Sequence, residues 1–359
     1  MKKITFILCM ALLVLVGCKP KNQCTINGLL ADEALEGMMV YLYETSDNSL
    51  LDSAVITNGV FTFKETVEQP ALVSLKASGE DMAYSLIVVM EPGTIHADMV
   101  TDSLSGTPLN EELYKFTTYE KQISDGLQPA YMEILAMSDT AAQAVAMEEF
   151  MANYNKLMEE YAQTVNQYYE QNKGNILGVY FLGNMEELSF EQMNALLEGA
   201  APVVVNNPMV QDQLSMLKKR DQTKVGNPFV DLDVIDYQTG SPAKLSDYVA
   251  GKIALVDFWA SWCRPCRGEI PNIANVYEKY GDKIAVISLN VWDKPEAQAM
   301  AIQEMNMKWI QLSDTTKKAT EEYGVNGIPQ IILIGADGTI LARDLREKAI
   351  EEAVVKALE

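Results

Sequence analysis

Two cysteines stand three positions apart in Trp262-Cys263-Arg264-Pro265-Cys266, directly after the run Val256-Asp257-Phe258-Trp259. The run reads as a buried strand and the residues after Cys263 as a helix. Cys263 then lies at a first helical turn, where unpaired N–H groups and the positive end of the macrodipole favour an anion. The thiolate is the attacking species, and such a position lowers a thiol pKa from about 8.5 into the range of roughly 3.5 to 7.5. Arg264 adds positive charge in the same direction. Cys266 is one helical step on, which turns it to the side of Cys263 and within disulfide reach, and Pro265 suits a first turn because its missing N–H would have had no intrahelical partner. The chemistry is thiol–disulfide exchange, with Cys263 as nucleophile forming a mixed disulfide and Cys266 resolving it. The resolving thiol's proton needs an acceptor. Asp257 on the strand beneath, expected to titrate high if buried, and Glu269 one step beyond Cys266 are the candidates; the other reading of Glu269 is an exposed carboxylate complementing the helix dipole.

The surrounding pattern supplies elements to hold these residues. After the punctuation Val225-Gly226-Asn227-Pro228, the chain reads as strand 253–259, helix after Cys263, strand 284–290, helices 294–305 and 317–323, strand 330–334, a turn at Asp337-Gly338, strand 339–342 and helix 345–358. Two parallel strands bridged by a helix, then an antiparallel hairpin and a last helix, imply an α/β domain over 225–359 whose mixed sheet is covered on both faces.

The chain has 359 residues, too many for one ordinary domain. Residues 24–106 alternate apolar and polar in short runs and predict a small β-sandwich, with a hairpin closed at Asn58-Gly59. Residues 107–222 turn to helix-favouring composition. There Met147, Met151, Tyr154, Met158, Tyr161, Val165 and Tyr168 share one helical stripe, expected to be a core face rather than a ligand surface or a homodimer seam. Ser189 and Gln192 form a capping-box pattern ahead of a helix to Leu197.

Lys and Arg number 28 against 50 Asp and Glu, and the net charge of −22 repels nucleic acid, which is excluded as a partner. The single histidine, His96, removes His-dependent triads and multi-histidine metal sites. It lies in a strand-like stretch and reads as structural; no metal or cofactor is expected. Residues 1–17 read as a signal peptide, with Lys2 and Lys3 ahead of an apolar run too short to span comfortably. Leu15-Val16-Gly17-Cys18 resembles a bacterial lipobox, which implies a lipidated Cys18, a tether over 18–23 and an extracytoplasmic, lipid-anchored chain on the periplasmic side of an envelope membrane. Cys9 leaves with the signal and Cys24 stands alone.

Residues 256–266, with Arg267-Gly268-Glu269-Ile270-Pro271 behind them, resemble the active-site strand and turn of the TlpA/ResA-like thioredoxin family, over roughly 225–359. The resemblance implies a thioredoxin-like fold and a thiol:disulfide oxidoreductase. It matches Gly327-Ile328-Pro329 to the family's cis-proline loop, Asp257 to the buried carboxylate of thioredoxin and Glu269 to the family's acidic residue. Trp262, Arg264, Pro265, Ile328 and Pro329 become the expected substrate contacts, and Gln330 departs from the Thr that many relatives carry. Protein thiols and disulfides are the implied partners, with a membrane thiol carrier recharging a reductant that serves cytochrome c maturation. Residues 24–222 resemble the uncharacterised region often found ahead of such domains in lipoproteins.

Rival readings are weaker. A zinc site has half its ligands, since only Cys24 and His96 could complete it from another expected domain. A structural disulfide closing so small a loop constrains the unfolded chain least. A peroxidase on this fold would want a lone cysteine behind a Pro and Thr motif. A non-catalytic envelope binding protein that keeps the fold as a scaffold is the alternative from another class.

Overall fold

The computed structural model describes residues 22–79, 83–186 and 188–359. The signal peptide, the lipidation at Cys18 and most of the tether lie outside the described residues. No helix among the described residues is long and apolar enough to cross a membrane. Two compact units are present, one running to Glu186 and including Ala200–Met209, the other comprising Val210–Glu359 and the stretch that ends at Gly199. The second unit therefore begins ahead of Val225.

In the first unit, strands β1 (Gln23–Leu29), β2 (Met39–Glu44), β3 (Leu50–Val55), β4 (Val60–Thr66), β5 (Ala71–Ser78), β6 (Ala83–Met90), β7 (Gly93–Asp98) and β8 (Ser103–Ser105) form two four-stranded sheets, ordered β4-β1-β7-β8 and β3-β2-β5-β6. Alternate residues such as Cys24 and Ile26, Val40 and Leu42, and Phe61 and Phe63 are buried, as a period of two requires when one face meets a core. Asn58 and Gly59 take positive φ and close the expected two-residue turn, across which Thr57 and Val60 exchange amide-to-carbonyl bonds at 2.9 and 3.2 Å, but the flanking strands β3 and β4 then run into different sheets. The Glu36 carboxylate accepts the amides of both turn residues, at 2.8 and 3.1 Å, and fixes that crossing.

Helices follow: α1 (Pro108–Leu135), α2 (Thr140–Asn172), α3 (Leu177–Gly183), α4 (Phe190–Leu197), α5 (Pro202–Val205) and α6 (Pro208–Gln222). Ser189 and Gln192 make the reciprocal capping bonds that start α4. The stripe on α2 is core only at its C-terminal end. Val165 is buried and Tyr161 and Tyr168 pack on Phe116 of α1, whereas Met151 is exposed.

The second unit contains β9 (Asp233–Asp236), β10 (Pro242–Lys244), α7 (Ser246–Val249), β11 (Ala254–Trp259), α8 (Arg264–Tyr280), β12 (Ala285–Asn290), α9 (Pro295–Glu304), β13 (Ile310–Ser313), α10 (Lys318–Glu322), β14 (Gln330–Ile334), β15 (Ile340–Ala342) and α11 (Lys348–Leu358). Its seven strands run β10-β9-β13-β12-β11-β14-β15. β11, β12 and β13 are parallel while β14 and β15 are antiparallel to their neighbours, so the sheet is mixed with three parallel strands rather than two. Two apolar layers cover it: one takes Val256 and Phe258 of β11 with Leu245, Ala319 and Tyr323, the other Leu255 and Trp259 with α8 and α11. Fully buried side chains of this size each contribute about 1.5–3 kcal/mol before ordering costs, which makes β11 the rigid floor on which the dithiol stands.

Candidate active site

β11 is buried along its whole length between β12 and β14. It ends under α8, whose N-cap is Cys263. Cys263 Sγ accepts the Cys266 amide at 3.2 Å, a fixed donor at the place where negative charge sits when the thiol is ionised. Cys263 and Cys266 are joined as a disulfide with Cα atoms 5.3 Å apart, and both are buried. Cys263 Sγ also lies 3.6 Å from the carbonyl oxygen of Ile328, and the Ile328–Pro329 bond is cis.

Around the sulfurs the surface is uneven. Trp262 is 61% exposed, with its indole N–H on the Trp292 carbonyl at 3.2 Å; Arg264 and Pro265 are also exposed, and Ile328 is half-buried. These four form the lip of the site. Pro329 and Gln330 are buried behind it, Gln330 in the sheet opposite Phe258 and therefore away from any docked segment. Asp293 accepts the Ser261 amide at 2.7 Å and Arg267 pairs with Glu304 at 2.6 Å while reaching the Ser261 carbonyl, so the strand-to-helix corner is fixed from two sides.

Beneath the sulfurs lie two carboxylates. Asp257 is 1% exposed, on the β11 face that packs against α8. Burial pushes its carboxyl up to about 7; the Ser288 hydroxyl and the Arg346 charge oppose that rise, and the Glu269 charge adds to it. Ser288 donates to Asp257 Oδ2 at 3.3 Å and is itself held by the Trp309 indole N–H at 2.8 Å, while Asp257 Oδ1 has no hydrogen-bond partner. Glu269 is 7% exposed, so it is an interior carboxylate and not a solvated first-turn one; it accepts from Asn272 Nδ2 at 2.8 Å and from the Glu347 amide at 3.0 Å.

Arg346, Glu347, Ser288, Trp309 and Asn272 belong to the site but carry no local signal in the sequence, since each joins it through contacts with residues far along the chain. Cys24 and His96 belong to the other unit. Among the described residues no group of three His, Cys, Asp or Glu converges as a metal site would require. The arrangement can form, break and re-form a disulfide next to two buried carboxylates.

Comparison with known proteins is consistent with that chemistry. The AhpC/TSA family matches residues 225–343, and a domain of unknown function, DUF4369, matches residues 24–113. The chain is similar to the thiol:disulfide interchange protein HelX of Rhodobacter capsulatus, 32% identical over 37% of this chain and 65% of that protein. It is likewise similar to the thiol:disulfide interchange protein DsbE of Allochromatium vinosum, 31% identical over 33% of this chain and 68% of that protein. The chain thus spans just under two thirds of the first relative's length. Among solved structures, the thioredoxin domain of a thiol-disulfide oxidoreductase from Bacteroides vulgatus is 30% identical, covering 38% of this chain and 99% of that one, with a TM-score of 0.36.

Proposed function

Because the chain belongs to the thioredoxin-like thiol:disulfide interchange family, we propose that it reduces disulfides in extracytoplasmic proteins through Cys263 and Cys266. In the reduced chain the Cys263 thiolate attacks a substrate disulfide, forming a mixed disulfide and releasing one substrate thiolate. The Cys266 thiol gives its proton to the Glu269–Asp257 pair, and its thiolate attacks Cys263 Sγ. The second substrate thiolate leaves and the Cys263–Cys266 disulfide forms, two electrons having passed to the substrate. Trp262, Arg264, Pro265 and Ile328 receive the substrate segment, with the expected contact Pro329 buried behind them as the support of Ile328.

The observation that carries this reading is the bonded sulfur pair at the mouth of α8, beside the Ile328 carbonyl and above two buried carboxylates. Insulin reduction tests it: the wild-type chain turns over, Cys263→Ser is inactive, and Cys266→Ser accumulates a mixed disulfide. A non-catalytic envelope scaffold would show no cysteine-dependent turnover. The direction is read from the reduction potential, a reductant lying near ~−270 mV and an oxidant near ~−120 mV.

A reductant must be recharged, and the family resemblance supports a membrane thiol carrier as the electron donor and cytochrome c maturation as the setting. The anchor is a lipid on Cys18, which holds the chain on the periplasmic side of an envelope membrane; Cys18→Ala should move it from the membrane to the soluble fraction. A second copy would pack on the seam of α1 and α2, which sedimentation of the Met151→Glu variant tests.

A further inference from the structure

The loop between β15 and α11 touches both halves of the dithiol site. The Leu345 amide donates to the Ile331 carbonyl at 3.2 Å, the Arg346 guanidinium donates to the carbonyl oxygens of Pro329 and Leu345, and the Glu347 amide donates to Glu269 at 3.0 Å. Glu347 makes its bond from φ 49° and ψ −126°, a region that a side chain rarely adopts. Strain of this kind persists only where the surroundings over-determine the backbone, and here the bonds on either side do so.

We infer that Arg346 and the Glu347 amide form a clamp that keeps the cis-proline segment behind the lip, held at the Pro329 carbonyl, in register with the carboxylates Glu269 and Asp257, and that Arg346 supplies the positive charge against which these two carboxylates are balanced. Arg346 is thus a positioning residue. The inference rests on the reading of Cys263 and Cys266 as a redox dithiol. Asp257 pairs in the sheet with Ile331, whose carbonyl takes the Leu345 amide, and Glu269 takes the Glu347 amide, so the loop that carries Arg346 lies beside both carboxylates. The charges that act on Asp257 are those of Glu269 on α8 and Arg346 on this loop, and its hydrogen-bond donor is the neutral Ser288 hydroxyl of β12. Charge therefore reaches Asp257 from two elements, with opposite sign. Loss of the cation leaves Glu269 as the charged neighbour and makes ionisation of Asp257 harder, so proton transfer from Cys266 moves to higher pH.

The test is a ¹³C NMR titration of the Asp257 side-chain carboxyl in the oxidised full chain, the signal being assigned by its loss in Asp257→Asn. Arg346→Gln keeps a donor for the Pro329 carbonyl and removes the charge; its Asp257 midpoint should rise by about one pH unit. Arg346→Lys keeps the charge and should hold the midpoint within roughly 0.3 units of wild type. The pH profile of insulin reduction should move in the same order. An Asp257 midpoint in Arg346→Gln equal to that of wild type overturns the inference, whatever the variant's turnover rate. If the wild-type chain lacks cysteine-dependent insulin reduction, the redox reading fails separately, and the titration still decides the role of the charge.

Discussion

Asp257 carries the clearest consequence of burial for a single residue. Its carboxyl is raised from 3.8 to about 7, so between these values the unfolded chain releases a proton that the folded chain keeps. The unfolded state gains from that release, and stability falls as pH rises through this window, by an amount on the order of 4 kcal/mol if the titration completes. Urea unfolding of the oxidised protein should show the advantage of Asp257→Asn over wild type growing from pH 4 to pH 7 and levelling above it; parallel curves would contradict the assignment. Glu347→Gly should relieve the positive φ and stabilise by about 1 kcal/mol, seen as a higher urea midpoint at unchanged slope. At this scale the sequence is legible where chemistry is local. Cys263 and Cys266 are found from their spacing and Asp257 from its place in an apolar strand, whereas Arg346 is joined to Pro329 only by the fold.

Elements were legible where their period was long and uninterrupted. β11, β12, β14 and α8 lie within a residue or two of their expected bounds, since each is a continuous apolar run or an amphipathic helix. β13 escapes a sequence reading because Ile-Gln-Leu-Ser is four residues long with a buried Gln311, and β9 and β10 because they are only four and three residues long. The α2 stripe gave the right helix, but a period cannot report what covers it. Edge protection shows the same limit. β6 is an edge strand, and the Asn110 side chain at the start of α1 accepts the Val89 amide at 3.0 Å and donates to its carbonyl at 2.7 Å, standing in for a neighbouring strand. Asn110→Ala leaves both Val89 groups unpaired in a buried position and should cost about 2–3 kcal/mol, measured by chemical unfolding.

For the whole molecule, the excess of acidic residues leaves −22 charges that steer encounter beyond the site itself. Reduction of a basic, unfolded disulfide protein should slow as salt is added and that of an acidic one should quicken, because screening weakens attraction and repulsion alike. Equal salt dependence for the two would assign recognition to the lip residues alone. The bonded cysteine pair lies in the second unit. The thiolate at the mouth of α8 underlies all of this, and the rate at which iodoacetamide alkylates Cys263 in the reduced chain across pH reports on it most directly. An ionised thiol held there titrates with a midpoint within roughly 3.5 to 7.5, whereas a midpoint of about 8.5, as for free cysteine, would contradict an activated nucleophile.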